Sequence, residues 1–292
     1  MEKRKRVLPD WIKKDFNHNR TVLNLKKDLT TNSLHTVCEE ARCPNLSECF
    51  KKRTTTFMIL GTNCTRNCSF CSVNHGAPSV IDKDEPAKIA NMVKDLNLKH
   101  VVITSVTRDD LLDGGAQHFV DVINSIREKN SSTIEVLTPD FKGVSSSRAL
   151  VSSAKPDIYN HNIETVKELY PSVRFGASYE GSLNFLNSIK DDDPSIITKT
   201  GIMVGLGETE DQLKYMLEDV VNSRVDIFTC GQYLRPTKNN AKVIEYKDEE
   251  WFEKFKIMAE SFGIKYVYSS PFMRSSYNAG DVLEEIARSR SN

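Results

Sequence analysis

Three cysteines stand within eight residues in the stretch Cys64-Thr65-Arg66-Asn67-Cys68-Ser69-Phe70-Cys71. The apolar run Phe57-Met58-Ile59-Leu60 lies shortly before it and ends at Gly61, which predicts a strand followed by a turn. A loop this short cannot cross-link distant parts of a chain, so its thiols suit a metal better than disulfides. The stretch therefore predicts a strand that delivers a cysteine loop to a metal site.

Beyond this loop, strand and helix patterns alternate along the chain. We predict strands at residues 57–60, 101–104, 134–137, 157–159, 196–204, 225–229 and 265–268. We predict helices at residues 86–98, 119–126, 145–154, 164–169, 183–189, 213–221, 249–262 and 281–288. Such an alternation indicates parallel β/α units.

About six strands up to residue 229, with one more after it, favour an α/β fold. We expect a partial (β/α)6 TIM-like barrel, with N-terminal and C-terminal extensions that cover the barrel mouth. The expected division is an extension at 1–53, a barrel at 54–240 and a C-terminal segment at 241–292. Active sites of such barrels lie at the C-terminal ends of the strands, so the cysteine loop is expected on that face.

Composition and charge argue against several classes of partner and compartment. Forty basic and forty acidic residues cancel among 292, so no net field attracts nucleic acid or an anionic membrane. No apolar run reaches the roughly 18 residues of a membrane span, and no secretory signal is recognisable. Seven cysteines without an export signal indicate a reducing compartment. We therefore expect a cytoplasmic protein with no nucleic-acid or membrane partner.

A second cysteine group, Cys38, Cys43 and Cys49, precedes the first. Pro44 prevents a continuous helix there and leaves the backbone free to wrap a ligand. A [4Fe–4S] cluster normally takes four thiolates, so each triad is one ligand short. The two triads predict two metal centres, and an iron without a protein thiolate is a place where chemistry can happen.

Two further groups of residues follow predicted strands. Gly201-Ile202-Met203-Val204-Gly205-Leu206-Gly207-Glu208 lacks the spacing of a dinucleotide or phosphate loop, and alone it indicates a turn. His161-Asn162-Ile163-Glu164-Thr165 is equally compatible with a helix cap and with a polar binding site. Both groups become stronger candidates for contacts with a ligand because a predicted metal-binding cysteine loop lies at the same end of the sheet.

The C-x3-C-x2-C loop resembles that of radical S-adenosylmethionine (SAM) enzymes, and the chain as a whole resembles the lipoyl synthase family. The resemblance is carried by Cys-Glu-Glu-Ala-Arg-Cys-Pro-Asn at 38–45, Thr-Ser-Val-Thr-Arg-Asp-Asp at 104–110, Asn-His-Asn-Ile-Glu-Thr at 160–165, Gly-Gln-Tyr-Leu-Arg-Pro-Thr at 231–237 and Arg-Ser-Ser-Tyr at 274–277. The triad Cys38, Cys43 and Cys49 together with the Arg-Ser-Ser-Tyr tail distinguishes this family from biotin-synthase-like sulfur inserters.

The resemblance implies two [4Fe–4S] clusters and SAM as cofactors. It implies that the cluster that binds and reduces SAM is held by Cys64, Cys68 and Cys71. It implies that an auxiliary cluster is held by Cys38, Cys43, Cys49 and Ser276. The residues implied to contact SAM are Asn162, Glu164, Gly201, Gly205, Gly207 and Glu208.

Members of that family insert sulfur at C6 and C8 of an octanoyl chain on a lysine of a lipoyl carrier domain, and the auxiliary cluster donates the sulfur. The implied partners are therefore octanoylated carriers such as the glycine cleavage H protein and the E2 component of 2-oxoacid dehydrogenases. An electron donor such as ferredoxin or flavodoxin and an iron–sulfur carrier for cluster rebuilding are implied as well.

Two alternatives from other classes stay open at this point. Structural zinc prefers four ligands in two separated pairs, which neither triad provides, although His75 could act as a fourth ligand. A two-cluster electron carrier would not need some 200 residues of β/α scaffold. Metal analysis tests the first alternative, and an assay of reductive SAM cleavage tests the second.

Overall fold

Ten strands are present in the structure, a computed structural model that describes residues 9, 20–51, 55–277, 280, 282, 283, 285, 286 and 288. They are β1 (His35–Thr36), β2 (Thr56–Ile59), β3 (Asn63–Cys64), β4 (Asn74–His75), β5 (His100–Ser105), β6 (Thr133–Leu137), β7 (Ile158–Asn160), β8 (Ile197–Val204), β9 (Ile227–Gln232) and β10 (Tyr266–Ser269). Eight of these strands form one sheet in the order β1-β2-β5-β6-β7-β8-β9-β10, and β3 pairs separately with β4.

The large sheet follows the chain order and is parallel from β2 to β10. Six parallel strands up to Gln232, with β10 after them, confirm the predicted partial barrel. The exception is β1, which pairs antiparallel with β2 through His35 opposite Met58. Two residues are too few for a periodic pattern, which is why the sequence did not predict β1.

The helices that the structure describes are α1 (Arg20–Thr31), α2 (Val37–Glu40), α3 (Leu46–Lys51), α4 (Glu85–Asp95), α5 (Ala116–Lys129), α6 (Ser145–Ser153), α7 (Tyr170–Val173), α8 (Tyr179–Asp192), α9 (Glu210–Asn222) and α10 (Glu249–Ser261). The start of α9 is set by local sequence. The Thr209 hydroxyl accepts from the Gln212 N–H, and the Gln212 side chain accepts from the Thr209 N–H. No helix in these described residues is long and apolar enough to cross a membrane.

The helix predicted at 164–169 is wrong over its first half. Glu164 has a left-handed φ of 67°, its N–H donates to the Gly201 carbonyl, and its carbonyl accepts from the Met203 N–H. Glu164 is therefore paired with β8, and a short 3-10 helix starts only at Lys167–Leu169. Pairing with a neighbouring strand outweighs a helical pattern as short as this one.

The C-terminal segment reaches both ends of the barrel. At the mouth, the Gln232 N–H at the end of β9 donates to the Pro271 carbonyl. At the opposite end, Val282 and Ile286 are buried against the first residues of β7, β8 and β9, which are Ile158, Ile197 and Ile227. Among its described residues, the segment reaches the mouth near 271–277 and at Ala241, whose N–H donates to the Ser69 carbonyl. Asp281, with which the predicted last helix begins, lies outside the described residues, and residues 282 to 288 that are described are helical.

Candidate functional site

The cysteine loop is anchored by three neighbouring parts of the barrel mouth. The Thr65 N–H donates to the Thr107 carbonyl just after β5, and the Ser69 N–H donates to the Val173 carbonyl at the end of α7. The Asn240 amide donates to the Cys71 carbonyl at 2.7 Å. The loop therefore has a backbone position fixed from several sides, at the C-terminal ends of the strands as predicted.

Arg66, between the first two cysteines, ties the loop to residues that follow β5 and β6. Its guanidinium donates to both carboxylate oxygens of Asp109, at 2.8 and 3.0 Å, and to both oxygens of Asp140, at 2.8 and 2.7 Å. Burial alone would raise the pKa of Asp140, but hydrogen bonding and charge from Arg66 outweigh burial and lower this pKa to about 2. We call Arg66, Asp109 and Asp140 the arginine clamp.

Two of the three thiols of this loop, Cys68 and Cys71, are desolvated, and Cys64 lies close enough to act on both. Burial raises the pKa of Cys68 to about 11, with the cation Arg174 opposing the effect, and raises the pKa of Cys71 to about 12. Cys64 acts electrostatically on both, and its sulfur accepts from the Thr107 N–H at 3.3 Å and the Arg66 N–H at 3.4 Å. These amides already point at one sulfur of the group.

The second triad lies on short elements before the barrel. Cys38 is on α2, Cys49 is on α3, and Cys43 lies in the turn between these helices. The Cys43 N–H donates to the Cys38 carbonyl. Burial raises the pKa of Cys38 to about 12, and the nearby Cys43 and Cys49 add to this effect. Three thiols from 12 residues of chain therefore converge.

The C-terminal tail completes this second site. One cavity is lined by Cys38, Cys43, Asn45, Cys49, Thr55, Thr56, Arg274, Ser276 and Tyr277. The Asn45 amide donates to the Phe272 carbonyl at 2.8 Å, and the Tyr277 hydroxyl donates to Glu48 at 2.6 Å. The structure thus brings Ser276 beside the three cysteines although more than 220 residues separate these partners in the chain.

A polar group lies between the two triads. The Asn162 amide donates to the Glu164 carboxylate at 3.1 Å. Burial raises the pKa of Glu164, and the cation Arg174 and the bond from Asn162 oppose that effect. Arg274 acts electrostatically on both Glu164 and Cys43, so its guanidinium lies between the two sites. Sequence reasoning did not single out Arg174, and its position in a loop offered no signal.

The glycine-rich end of β8 is packed mainly against protein. Gly205 has φ of 97°, and a Cβ there would lie 2.3 Å from the Gln232 amide nitrogen. The Glu208 carboxylate accepts from the N–H groups of Gly205, Leu206 and Gly207. Gly205 and Glu208 therefore stabilise the turn that follows β8. Their contact with SAM stays a prediction.

Two histidines near the sites have different surroundings. Burial, together with Arg174, lowers the pKa of His161 to about 3, so its ring is neutral and Nδ1–H donates to the Thr138 carbonyl at 2.8 Å. His75 is exposed in β4, where it pairs with Cys64 in the neighbouring strand β3.

Within the described ranges, no three His, Cys, Asp or Glu side chains are grouped as ligands of one metal ion. In a four-iron cluster each thiolate binds a different iron, so the triads need not be that close.

Comparison with known proteins identifies the family. A model of the radical SAM superfamily matches residues 58–220, and a model of the N-terminal domain of lipoyl synthase matches residues 1–43. A lipoyl synthase of Alkaliphilus metalliredigens is 51% identical over 278 residues, which are 95% of this chain and 96% of that protein. The chain belongs to the lipoyl synthase family. A second member, from Caldicellulosiruptor bescii, is 51% identical over 284 residues and covers 96% of this chain and 98% of its own.

Solved structures support the fold alone. Methylornithine synthase aligns with a TM-score of 0.54 at 15% identity over 79% of each chain. The hydrogenase maturase HydG aligns with a TM-score of 0.57 at 14% identity, over 72% of this chain and 50% of its own. Both likenesses concern the β/α barrel that carries the cysteine loop.

Membership of the radical SAM superfamily implies SAM and a [4Fe–4S] cluster as cofactors. The donor set of the cysteine loop fits that requirement. Buried thiols with pKa values of about 11 and 12 stay protonated without a metal, whereas binding to iron supplies the positive charge that holds them as thiolates. The N–H groups of Arg66 and Thr107 at the Cys64 sulfur are suited to a thiolate ligand.

Proposed function

We propose that this lipoyl synthase family member inserts two sulfur atoms, at C6 and C8 of an octanoyl chain on a carrier-protein lysine, to give lipoyl-lysine. The observation that carries this proposal is the shared cavity of Cys38, Cys43, Cys49 and Ser276 near the barrel mouth. A second cluster site beside a radical SAM loop provides a sulfur source next to a radical source. A plain electron carrier has no use for a serine at that position.

Under this proposal Cys64, Cys68 and Cys71 hold the cluster that binds SAM, and one iron stays free for the amino and carboxylate groups of SAM. The anchored loop and the arginine clamp would hold the three cysteines in place when the cluster is bound. When bound, the cluster and SAM supply a radical that removes hydrogen from an unactivated C–H bond, which no side-chain acid or base can do near neutral pH.

The proposed SAM contacts are Asn162, Glu164, Gly201, Gly205, Gly207 and Glu208. Asn162 and Glu164 have the stronger support, because Glu164 lies near Cys68 and Arg174 and Asn162 donates to the Glu164 carboxylate. The left-handed φ of Glu164 is a further sign of a constrained binding residue. Gly207, with a φ of 114°, is exposed, and a Cβ there would lie 3.6 Å from the Ile244 side chain.

The second cluster is proposed to be held by Cys38, Cys43, Cys49 and Ser276. An oxygen ligand is harder than a thiolate, so we expect Ser276 to release its iron more readily when the cluster is consumed. Arg274, which lines the same cavity, adds a positive charge beside a site that collects negative ligands. The three cysteines and Ser276 come from opposite ends of the chain, so the tail supplies one of the four proposed ligands.

The proposed partners follow from the reaction. Octanoylated lipoyl domains, such as the H protein of glycine cleavage and E2 components of 2-oxoacid dehydrogenases, present the substrate. A ferredoxin or flavodoxin supplies electrons, and an iron–sulfur carrier rebuilds the second cluster. We propose the cytoplasm as the compartment, because its thiols stay reduced.

The test is an anaerobic reaction of the reconstituted protein with SAM, dithionite and an octanoyl-lysyl peptide. Mass spectrometry is expected to show a product that carries two added sulfur atoms and has lost hydrogen at two carbons. Dethiobiotin, assayed in parallel, is expected to be unchanged. SAM cleavage without sulfur on the peptide, or sulfur on dethiobiotin, would contradict the proposal.

A further inference from the structure

Adjacent residues of the C-terminal tail face different sites. Arg274 and Ser276 line the cavity of the second cysteine triad. Ser275, between them, faces the other way, and its hydroxyl donates to Oδ1 of Asn162 at 2.9 Å. Ser276, the proposed ligand of the auxiliary cluster, is therefore the chain neighbour of Ser275, which contacts the proposed SAM site directly.

This contact fixes the Asn162 side chain at both ends. Its Oδ1 accepts from Ser275, and its Nδ2 donates to Glu164 Oε1 at 3.1 Å. A rotated amide would place its oxygen against the Glu164 carboxylate and its NH2 group against Ser275. The Glu164 carboxylate only accepts and therefore selects the amide orientation, while the Ser275 hydroxyl holds in place the side chain on which SAM binding depends.

Gly201 provides the space for this contact. A Cβ at residue 201 would lie 3.2 Å from the Ser275 hydroxyl, 3.3 Å from Asn162 Oδ1 and 2.3 Å from the Thr229 hydroxyl. A Cβ would overlap the Thr229 hydroxyl and would crowd Ser275 and Asn162 by a few tenths of an ångström. Gly201, predicted as a SAM contact, therefore leaves room for Ser275 to meet Asn162.

The tail is also fixed from the auxiliary side. Asn45, in the turn before α3, holds the Phe272 carbonyl, and Glu48 on α3 holds the Tyr277 hydroxyl. The Tyr277 N–H donates to the Arg274 carbonyl, which closes residues 274–277 into a turn. Ser275 lies inside this turn, so a shift of Ser276 moves Ser275 with it.

We propose that Ser275 is a positioning residue that couples the auxiliary site to SAM binding. While Ser276 is held at the auxiliary site, Ser275 keeps the Asn162 side chain in its binding position; release of Ser276 loosens Ser275 and weakens SAM binding. The inference rests on the proposed function, because it takes Asn162 as a SAM contact and Ser276 as a ligand. Coupling is reciprocal, so bound SAM also favours the ligated tail. An enzyme whose second cluster is spent would thereby hold SAM less tightly.

The test measures the Kd for SAM by anaerobic equilibrium dialysis of protein that contains both clusters. Ser275→Ala is expected to weaken SAM binding about fivefold, the effect of one lost hydrogen bond. Ser261→Ala, which removes an exposed hydroxyl bond on α10, is the matched control and is expected to leave the Kd unchanged. A lower unfolding temperature of Ser275→Ala with an unchanged Kd would show a merely structural role and overturn the inference.

A double-mutant cycle tests the coupling itself. Cys38→Ala, which removes the auxiliary cluster, is expected to weaken SAM binding by up to the same fivefold factor. Added to Ser275→Ala, it is expected to weaken binding no further, because the connection is already broken. Independent, multiplying effects would overturn the inference. If the unmodified two-cluster protein does not bind SAM, the proposed function fails as well, whereas normal binding with no effect of Ser275→Ala overturns the inference alone.

Discussion

The two cysteine triads are built in different ways. Residues 64–71 lie at the mouth of a parallel sheet and are held by Thr107, Val173, Asn240 and the arginine clamp. Residues 38–49 lie on short helices, and their site is completed by a tail from the other end of the chain. The difference matches their proposed tasks: one cluster has to stay in place through every cycle, and the other has to be taken apart and rebuilt.

The largest expected effect separates the two triads. Cys68→Ala should abolish both reductive SAM cleavage and sulfur insertion, because it removes a ligand of the SAM-binding cluster. Cys38→Ala should keep SAM cleavage at saturating SAM and abolish sulfur insertion. Chromatography of 5′-deoxyadenosine and mass spectrometry of the peptide measure the two reactions. Loss of SAM cleavage in both variants would remove the functional distinction between the triads.

The next effect concerns how easily the second site opens. Ser276→Cys replaces a hard oxygen ligand by a thiolate, which should hold its iron more firmly and slow sulfur insertion at least tenfold. Its rate of SAM cleavage should change little. The measurement is single-turnover formation of the product with two sulfurs. Insertion at the normal rate would show that the serine does not serve to release iron.

A smaller effect tests the rigidity of the first site. The folded-state pKa of Asp140 is about 2, below its ordinary value of 3.8, so its carboxylate stabilises the fold above about pH 4 and this contribution is lost as pH falls toward 2. Asp140→Asn should therefore lower the free energy of unfolding by about 2 kcal/mol at pH 7. The difference between variant and unmodified protein should shrink toward pH 2.

Chemical denaturation of cluster-free protein at pH 7 and pH 3 measures this difference. Asp82→Asn is a matched control, because Asp82 pairs with Lys88 at the surface and should contribute less than about 1 kcal/mol. Equal losses in the two variants would mean that the arginine clamp is no stronger than a surface ion pair.

The smallest effect concerns the zinc alternative. His75 is exposed in β4 and is the one side chain that the sequence offered as a fourth ligand of the loop. His75→Ala should therefore leave the iron content and the rate of SAM cleavage unchanged. A loss of metal from this variant, measured by atomic emission, would make His75 a ligand and reopen the case for zinc.

The fold was largely predictable because β-branched runs and helical spacing are local signals. Local patterns also located both triads, and a family resemblance added Ser276. The arginine clamp was not predictable, since Arg66 meets partners 43 and 74 residues away. The same holds for Lys199 and Glu135, an ion pair buried on β8 and β6 with N–O distances of 3.1 and 3.0 Å. A strand pattern shows that such residues are present but does not show which charges meet.

The contact between Ser275 and Asn162 shows the same limit. Both residues occur in motifs that the sequence displays, yet they are 113 positions apart and nothing in the sequence shows that one positions the other. The sequence pointed to Gly201 but did not show why a glycine is needed there, because the space that a missing Cβ leaves is visible only in three dimensions.

The most direct test of the central claim is the metal content of anaerobically purified protein, with two variants in which one triad is replaced by alanine. Two four-iron clusters predict roughly eight irons per chain in the unmodified protein and roughly four in each variant. Zinc in place of iron, or roughly four irons in the unmodified protein with none in one variant, would contradict the account.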